Sequence, residues 1–116
     1  MKYAMLICTD ENEWADVDPA ARDEGMKDVY AWFEKWGPTG KIADGGAELD
    51  STRTAKTIRP GANGPVVTDG PYLEVKEVVG GVVFLNADSI DDAVAVAATW
   101  PLSGSSSIEV RPVIEH

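Results

Sequence analysis

A turn at residues 69–71, Asp-Gly-Pro, is the feature that most constrains how this chain can fold. An Asp side chain can hydrogen-bond the backbone two residues on, glycine permits a positive φ, and proline fixes φ and removes an N–H donor. The three together predict a sharp, rigid turn with a positive φ at Gly70. The turn lies between two apolar segments, and it should therefore hold the carboxylate of Asp69 at a fixed position between them.

The first part of the chain predicts a strand followed by a long helix. Residues 2–8 carry apolar side chains on both faces, which indicates a strand that is buried on both faces. An acidic loop, 9–18, ends at Asp18, which is predicted to N-cap a helix that has Pro19 at its first position and runs to about Trp36. The i, i+3, i+4, i+7 spacing predicts a buried stripe on this helix, formed by Met26, Val29, Tyr30 and Phe33.

Two tryptophans of this helix, Trp32 and Trp36, lie one turn apart and outside the stripe. They are interpreted as core residues or as cover for the rim of a dimer, and the lining of a pocket is the alternative.

The rest of the chain predicts a second helix and four further strands. The first is a weak strand 41–49, whose Gly45-Gly46 pair indicates a bend or a position at the edge of the sheet. It is followed by a strand 53–59, a loop 60–65, a short extended piece 66–68, a Val-rich strand 76–87, a helix opened by the Ser89–Asp92 capping box, and a last strand 108–114. Ala93, Val94 and Ala97 are expected on the buried side of the second helix. The order β-α-β-β-β-α-β gives one domain, 1–116, with a ferredoxin-like α+β fold: an antiparallel sheet with two helices on one face.

Helices on only one face of the sheet leave the other face without a cover. The strands at 2–8 and 78–85 are apolar on both faces, and soluble monomers rarely expose a large apolar patch. A second copy of the same sheet is the simplest cover, so a homodimer is expected.

Several segments together resemble one protein family. The run Thr-Asp-Gly-Pro-Tyr-Leu-Glu-Val-Lys-Glu, 68–77, closely resembles the signature of the DGPF family, a branch of the YCII-related proteins, with Tyr72 where that family usually has Phe. The first strand, the segment Thr57-Ile58-Arg59, the Gly80-Gly81 strand with its following helix, and the segment 108–113 resemble the family in order and spacing. The resemblance covers nearly the whole chain and implies a dimeric α/β barrel, closed sheet to sheet.

Composition limits the binding partners and the cellular compartment that are expected for this chain. The net charge of −10 argues against binding the phosphates of nucleic acids. Because a membrane span needs about 18 consecutive apolar residues and this chain has no such run, no membrane association is expected. The single cysteine, Cys8, and the lack of a visible secretory signal suit the cytoplasm.

The candidate site residues lie near the Asp-Gly-Pro turn. Asp69 is the candidate catalytic residue, as a general acid or base, and the alternative is that it only caps the turn. Arg59 and Tyr72 are the candidate ligand-binding residues. Arg59 lies in an acid-free stretch, 51–68, which could attract a small anionic ligand or could simply be a solvated hairpin. An Asp69–Arg59 pair at the rim of a pocket is expected, as part of a site or as a structural salt bridge, while Tyr72 could instead be a core residue.

No cofactor and no metal are predicted. The only histidine is His116, the last residue, and no Cys/His cluster, phosphate loop or dinucleotide motif is present.

Two functions remain open at this point. The chain could bind a small molecule and act on it as a cofactor-free enzyme, of the isomerase, lyase or monooxygenase type found among dimeric α/β barrels. Alternatively, it could be a regulatory or accessory protein, since members of the resembling family are often encoded beside extracytoplasmic-function sigma factors in bacteria. A closed pocket that holds Asp69 would favour the enzyme, and a filled interior with an exposed apolar patch would favour the interaction protein.

Overall fold

The computed structural model describes residues 1–15, 17–70, 77–102 and 104–116, with the side chains of 14 and 15 left out. The structure is α+β, as predicted. Its elements are β1 (Lys2–Thr9), α1 (Glu11–Ala15), α2 (Pro19–Trp36), β2 (Ile42–Glu48), β3 (Lys56–Gly61), β4 (Gly64–Asp69), β5 (Val78–Asn86), α3 (Ile90–Ala97) and β6 (Ser107–Pro112), with short 3-10 turns at Gly37–Thr39 and Thr52–Thr54.

Four strands form one antiparallel sheet in the order β2-β5-β1-β6. A helix follows the first strand and another follows β5, so this order is compatible with the ferredoxin-like arrangement predicted from the sequence. Both helix starts are also confirmed. The Asp18 side chain accepts a hydrogen bond from the Ala20 N–H at 3.4 Å, and the Ser89 hydroxyl accepts one from the Asp92 N–H at 3.2 Å.

The core lies between the helices and one face of this sheet. The register places Tyr3 opposite Leu85 and Met5 opposite Val83, so these four side chains share that face. The buried core residues are Tyr3, Met5, Trp32, Val83, Leu85, Ala87, Ala93, Val96 and Ala97.

Helix α2 contributes a different side chain to the core than its spacing predicts. Trp32 is only 4% exposed, whereas Tyr30 of the predicted stripe is 60% exposed and the other stripe residues are half-buried. The Trp32 and Trp36 ring nitrogens both donate to the Thr99 hydroxyl, at 3.0 and 2.9 Å, and that hydroxyl donates to the Val96 carbonyl. Since the indole N–H needs a partner when it is buried, Thr99 allows Trp32 to face inward. The predicted stripe is therefore wrong for Tyr30, whereas the half-buried Phe33 packs against the core. The interpretation of Trp32 as a core residue is confirmed.

Helix α3 shows a smaller departure of the same kind. Ala93 and Ala97 are buried as predicted, but Val94 is 46% exposed and Val96 packs inward instead. The helix presents its Ala93–Val96–Ala97 side to the sheet, which turns Val94 toward solvent.

Two segments that are predicted as loops contain regular secondary structure. The acidic loop 9–18 contains the short helix α1, whose carboxylates bind distant backbone. The predicted loop 60–65 belongs instead to a hairpin, because β3 and β4 pair from Lys56–Asp69 to Gly61–Gly64. This hairpin is a separate two-stranded sheet, and β3 begins later than predicted because the preceding residues form a 3-10 turn.

Gly70 has a φ of 75°, which confirms the predicted left-handed turn. Its N–H donates to the Ala55 carbonyl at 2.7 Å, and its own carbonyl accepts from the Thr57 hydroxyl at 2.5 Å. The turn thus closes the base of the hairpin. The remainder of the motif, residues 71–76 with Tyr72, lies outside the described residues.

The second face of the four-stranded sheet carries Ala4, Leu6, Val82 and Phe84, all half-buried. Within the described part of the chain, no helix has the length and apolar character that crossing a membrane requires.

Candidate ligand-binding groove

A groove of about 860 Å³ lies on the helix side of the sheet, between α2 and the strands β2 and β5. Its helix wall is formed by the apolar stripe that the sequence predicts as core: Met26, Val29, Tyr30 and Phe33. The segment after α3 contributes Trp100 and Leu102 to the same groove. The stripe, whose residues are half-buried or exposed, thus forms one wall of a cavity.

The floor of the groove includes four glycines, Gly45 and Gly46 of β2 and Gly80 and Gly81 of β5, together with larger residues of the same strands. β2 is an edge strand of the four-stranded sheet, and its register against β5 shifts between Asp44 and Ala47, so the predicted edge position is confirmed and the pairing is irregular at the two glycines. Gly46 has a φ of 66°, and a Cβ there would collide with the Val82 carbonyl. A Cβ at Gly81 would lie 3.3 Å from the Ala47 carbonyl oxygen.

Three aromatic rings hold the groove wall in place. Trp32, Phe33 and Trp100 contact one another edge to face, with ring centroids 5.0 to 5.9 Å apart. Trp32 is anchored in the core, and the other two rings line the groove beside it. Ring packing within the protein therefore holds the apolar wall in position, and no bound ligand is needed to do so.

One end of the groove is polar and contains Glu11 and Arg53. The Glu11 carboxylate accepts hydrogen bonds from the Thr52 N–H at 2.6 Å and from the Thr52 hydroxyl at 2.5 Å. These two bonds, the hydroxyl one first, lower the pKa of Glu11, and the nearby Arg53 guanidinium adds to the effect. Glu11 is therefore an ionised hydrogen-bond acceptor at neutral pH rather than a proton donor.

The charges along the groove are mixed. The described lining residues include four carboxylates, Glu11, Asp28, Glu48 and Asp50, and two guanidiniums, Arg22 and Arg53. Of the three cations in the acid-free stretch, Arg53 alone is among these lining residues. The stretch does not make the groove as a whole positive.

Asp69 and Arg59 lie on the hairpin and are not among the described residues that line the groove. Lys56 is the cross-strand partner of Asp69, and its ammonium donates to the Asp69 carboxylate at 2.5 Å. Arg59 is opposite Val66, three positions from Lys56, so it lies on the other face of the hairpin from Asp69. The register thus produces a Lys56–Asp69 pair in place of the expected Asp69–Arg59 pair.

The Glu11–Thr52 contact has no signature in the sequence. Glu11 is one of several acids in a short segment, and Thr52 is 41 positions away. A second carboxylate of the same helix, Glu13, accepts from the Ser105 N–H and hydroxyl at 3.2 and 2.7 Å. Helix α1 therefore holds two distant loops, a role that only the folded chain reveals.

The comparison with known proteins identifies the family of the chain. The family model of the YCII-related domain matches residues 1–116. An uncharacterized protein of Rhizobium meliloti (strain 1021) is 32% identical over 115 residues, which cover 97% of this chain and 92% of that relative. The chain belongs to the YCII-related family.

Proposed function

We propose that this YCII-related protein binds a small molecule in the groove between α2 and the sheet. The observation that carries the proposal is the wall itself: an apolar helix stripe that faces a cavity of about 860 Å³, opposite a sheet floor that includes four glycines. Binding sites for small molecules are typically concave and mostly apolar, with a few polar groups that fix orientation. Here the polar groups are those around Glu11, Thr52 and Arg53.

The ligand in this proposal has an apolar body and a polar end. Its body would lie along Phe33 and Trp100, and its polar end would lie beside Arg53. An anionic group there would meet a guanidinium, which binds a carboxylate in two-point geometry. Because carboxylates outnumber guanidiniums along the groove, binding of an anion would depend on Arg53 rather than on a broad positive field.

A cofactor-free enzyme would require residues that act on the bound molecule in addition to a groove that binds it. It keeps Asp69 as the acid or base and Arg59 and Tyr72 as ligand contacts. The Asp69 side chain is 89% exposed and pairs with Lys56, so a reaction at Asp69 would take place at the hairpin rather than inside the groove of the same chain. The described geometry supports binding more directly than catalysis.

The assembly we propose is a cytoplasmic homodimer, a dimeric α/β barrel of the DGPF branch. The apolar side chains of the second sheet face support it, since a second copy of the sheet would remove them from water. The Asp-Gly-Pro turn, with its positive φ at Gly70, supports the assignment to the branch.

The binding proposal is tested with the anionic aromatic dye 8-anilinonaphthalene-1-sulfonate. A Val29→Trp substitution would place a large ring in the groove, and Ala31→Trp places the same ring on an exposed side of the same helix. We expect Val29→Trp to raise the dye's dissociation constant at least tenfold and Ala31→Trp to leave it unchanged. Equal binding by all three proteins, or none by the native chain, would contradict the proposal.

A non-catalytic regulatory or accessory protein of a sigma-factor-linked bacterial stress response is the second candidate. The exposed apolar side chains of the hairpin favour it, because such patches mark interaction surfaces. Calorimetry with the purified sigma factor from a neighbouring gene is the test. Micromolar binding that is lost on substitution of the hairpin residues would support this candidate, and the absence of heat would count against it.

A further inference from the structure

The chain has more surface than a compact domain of its size. Its radius of gyration is 16.2 Å, against about 13 Å expected for 116 residues. Its accessible surface is 8008 Å², against about 6,100 Å² expected for a monomer of 12.4 kDa. The excess is about 1,900 Å² for each chain, so two chains could bury about 3,800 Å², a value within the range of obligate dimers.

The β3–β4 hairpin is a conspicuous part of that surface. It shares no strand with the main sheet, and a two-stranded hairpin by itself is marginally stable in water. Ile58 and Val67 are direct cross-strand partners on one face, and they are 67% and 56% exposed. Pro60 and Pro65, the next pair on the same face, extend this apolar strip toward the tip.

The two prolines also determine how a partner could bind. Proline has no N–H, so each interrupts the hydrogen-bonding capacity of its strand. Proline on an edge strand is a feature that opposes the addition of a further strand. The hairpin is therefore suited to contact through its apolar face rather than through its edges.

The charge distribution favours a second copy of this chain as the partner. Residues 51–69 have a net charge of +2, because they contain three cations and one anion: Arg53, Lys56, Arg59 and Asp69. The rest of the chain therefore carries a net charge of −12, and the two parts together give the total of −10. Two copies repel each other overall, and this segment opposes that repulsion. On its Ile58–Val67 face the charges of Lys56 and Asp69 offset each other, while Arg59 lies on the other face, so the apolar face itself adds no net charge to a contact between two acidic chains.

We propose that the β3–β4 hairpin is an arm that docks through its Ile58–Val67 face on a second copy of the chain. This inference rests on the proposed homodimer and adds a contact that the sheet-to-sheet packing does not include. The surface that the arm buries in the dimer would be part of the excess accessible surface of the two chains.

The double variant Ile58→Thr/Val67→Thr is the first test. Threonine keeps the branched Cβ that favours a strand, but it replaces the ethyl group of Ile58 and one methyl group of Val67 with a hydroxyl. Sedimentation equilibrium over a range of concentrations should show a dimer dissociation constant at least tenfold higher than that of the native chain. Ile114→Thr and Val94→Thr change apolar residues elsewhere that are 78% and 46% exposed, and they should leave the constant unchanged.

Amide hydrogen exchange on the native protein is the second test, and it does not depend on the folding of a variant. Hairpin amides should exchange more slowly at 50 µM than at 0.5 µM chain. A dimer whose hairpin variant dissociates like the native protein, with exchange independent of concentration, would overturn the arm and leave the sheet-to-sheet dimer standing. A native chain that is monomeric at 50 µM would overturn both, while dye binding in the groove would be judged separately.

Discussion

The Glu11 carboxylate binds both the backbone N–H and the hydroxyl of Thr52, at 2.6 and 2.5 Å. These two contacts join a short helix near the start of the chain to the 3-10 turn that precedes the hairpin. Because Arg53 follows Thr52 directly, they also fix the polar end of the groove.

The pKa of Glu11 predicts a pH dependence of stability. Hydrogen bonds from Thr52 lower the pKa in the folded chain, so the stabilising contribution is present above the unfolded value of about 4.3 and is lost as pH falls through the folded value. Glu11→Gln should therefore lower the melting temperature at pH 7 and have progressively less effect as the pH falls below about 4. Glu34→Gln, a change of an exposed carboxylate on α2, serves as the control. A Glu11→Gln deficit that is the same at pH 7 and pH 3 would contradict this account.

Two glycines should respond to substitution with opposite signs. Gly70 has a φ of 75°, and its nearest obstacle to a Cβ is the Thr52 carbonyl at 3.9 Å, so Gly70→Val should cost about 1 kcal/mol or more from backbone conformation alone. Gly25 lies inside α2 with nothing within 4 Å of a Cβ, so Gly25→Ala should stabilise by about 0.5–1 kcal/mol. Urea denaturation measures both, and a Gly70→Val protein as stable as the native chain would refute the importance of the turn.

Thr99 should be sensitive to loss of its hydroxyl. Thr99→Val keeps the shape but leaves the ring N–H of the buried Trp32 without its partner, which should cost about 1–3 kcal/mol. Thr99→Ser keeps the hydroxyl and should cost much less. Urea denaturation followed by tryptophan fluorescence makes the comparison, and equal losses in the two variants would rule out the hydrogen bonds as the cause.

The two faces of β5 should respond differently to charge. Val83 and Leu85 are 2% and 0% exposed in the helix-packed core, so Val83→Glu should prevent folding. Phe84 lies on the second face and is half-buried, so Phe84→Glu should give a folded monomer if that face is the dimer interface. Light scattering and circular dichroism distinguish the outcomes. A Phe84→Glu protein that remains dimeric would count against the sheet-to-sheet interface.

The candidate site was less predictable than the fold. The spacing of Met26, Val29 and Phe33 identified an apolar face of α2 correctly, but periodicity cannot tell whether such a face meets the core or a cavity. The cations near the Asp-Gly-Pro turn were visible in the sequence. Which of these cations shares a face of the hairpin with Asp69 depends on the strand register, and the register places Lys56, not Arg59, beside Asp69.

The sequence by itself determined the local features of this protein: the caps at Asp18 and Ser89, the left-handed Gly70, the irregularity at Gly45-Gly46 and the order of the two capped helices among the strands of the main sheet. Each depends on the conformational preferences or hydrogen bonds of a few neighbouring residues. Only the tertiary structure decided that Trp32 fills the core, that the predicted stripe lines a groove and that Glu11 binds Thr52. Those outcomes depend on packing and hydrogen bonds between residues tens of positions apart, and neither spacing nor composition records such contacts.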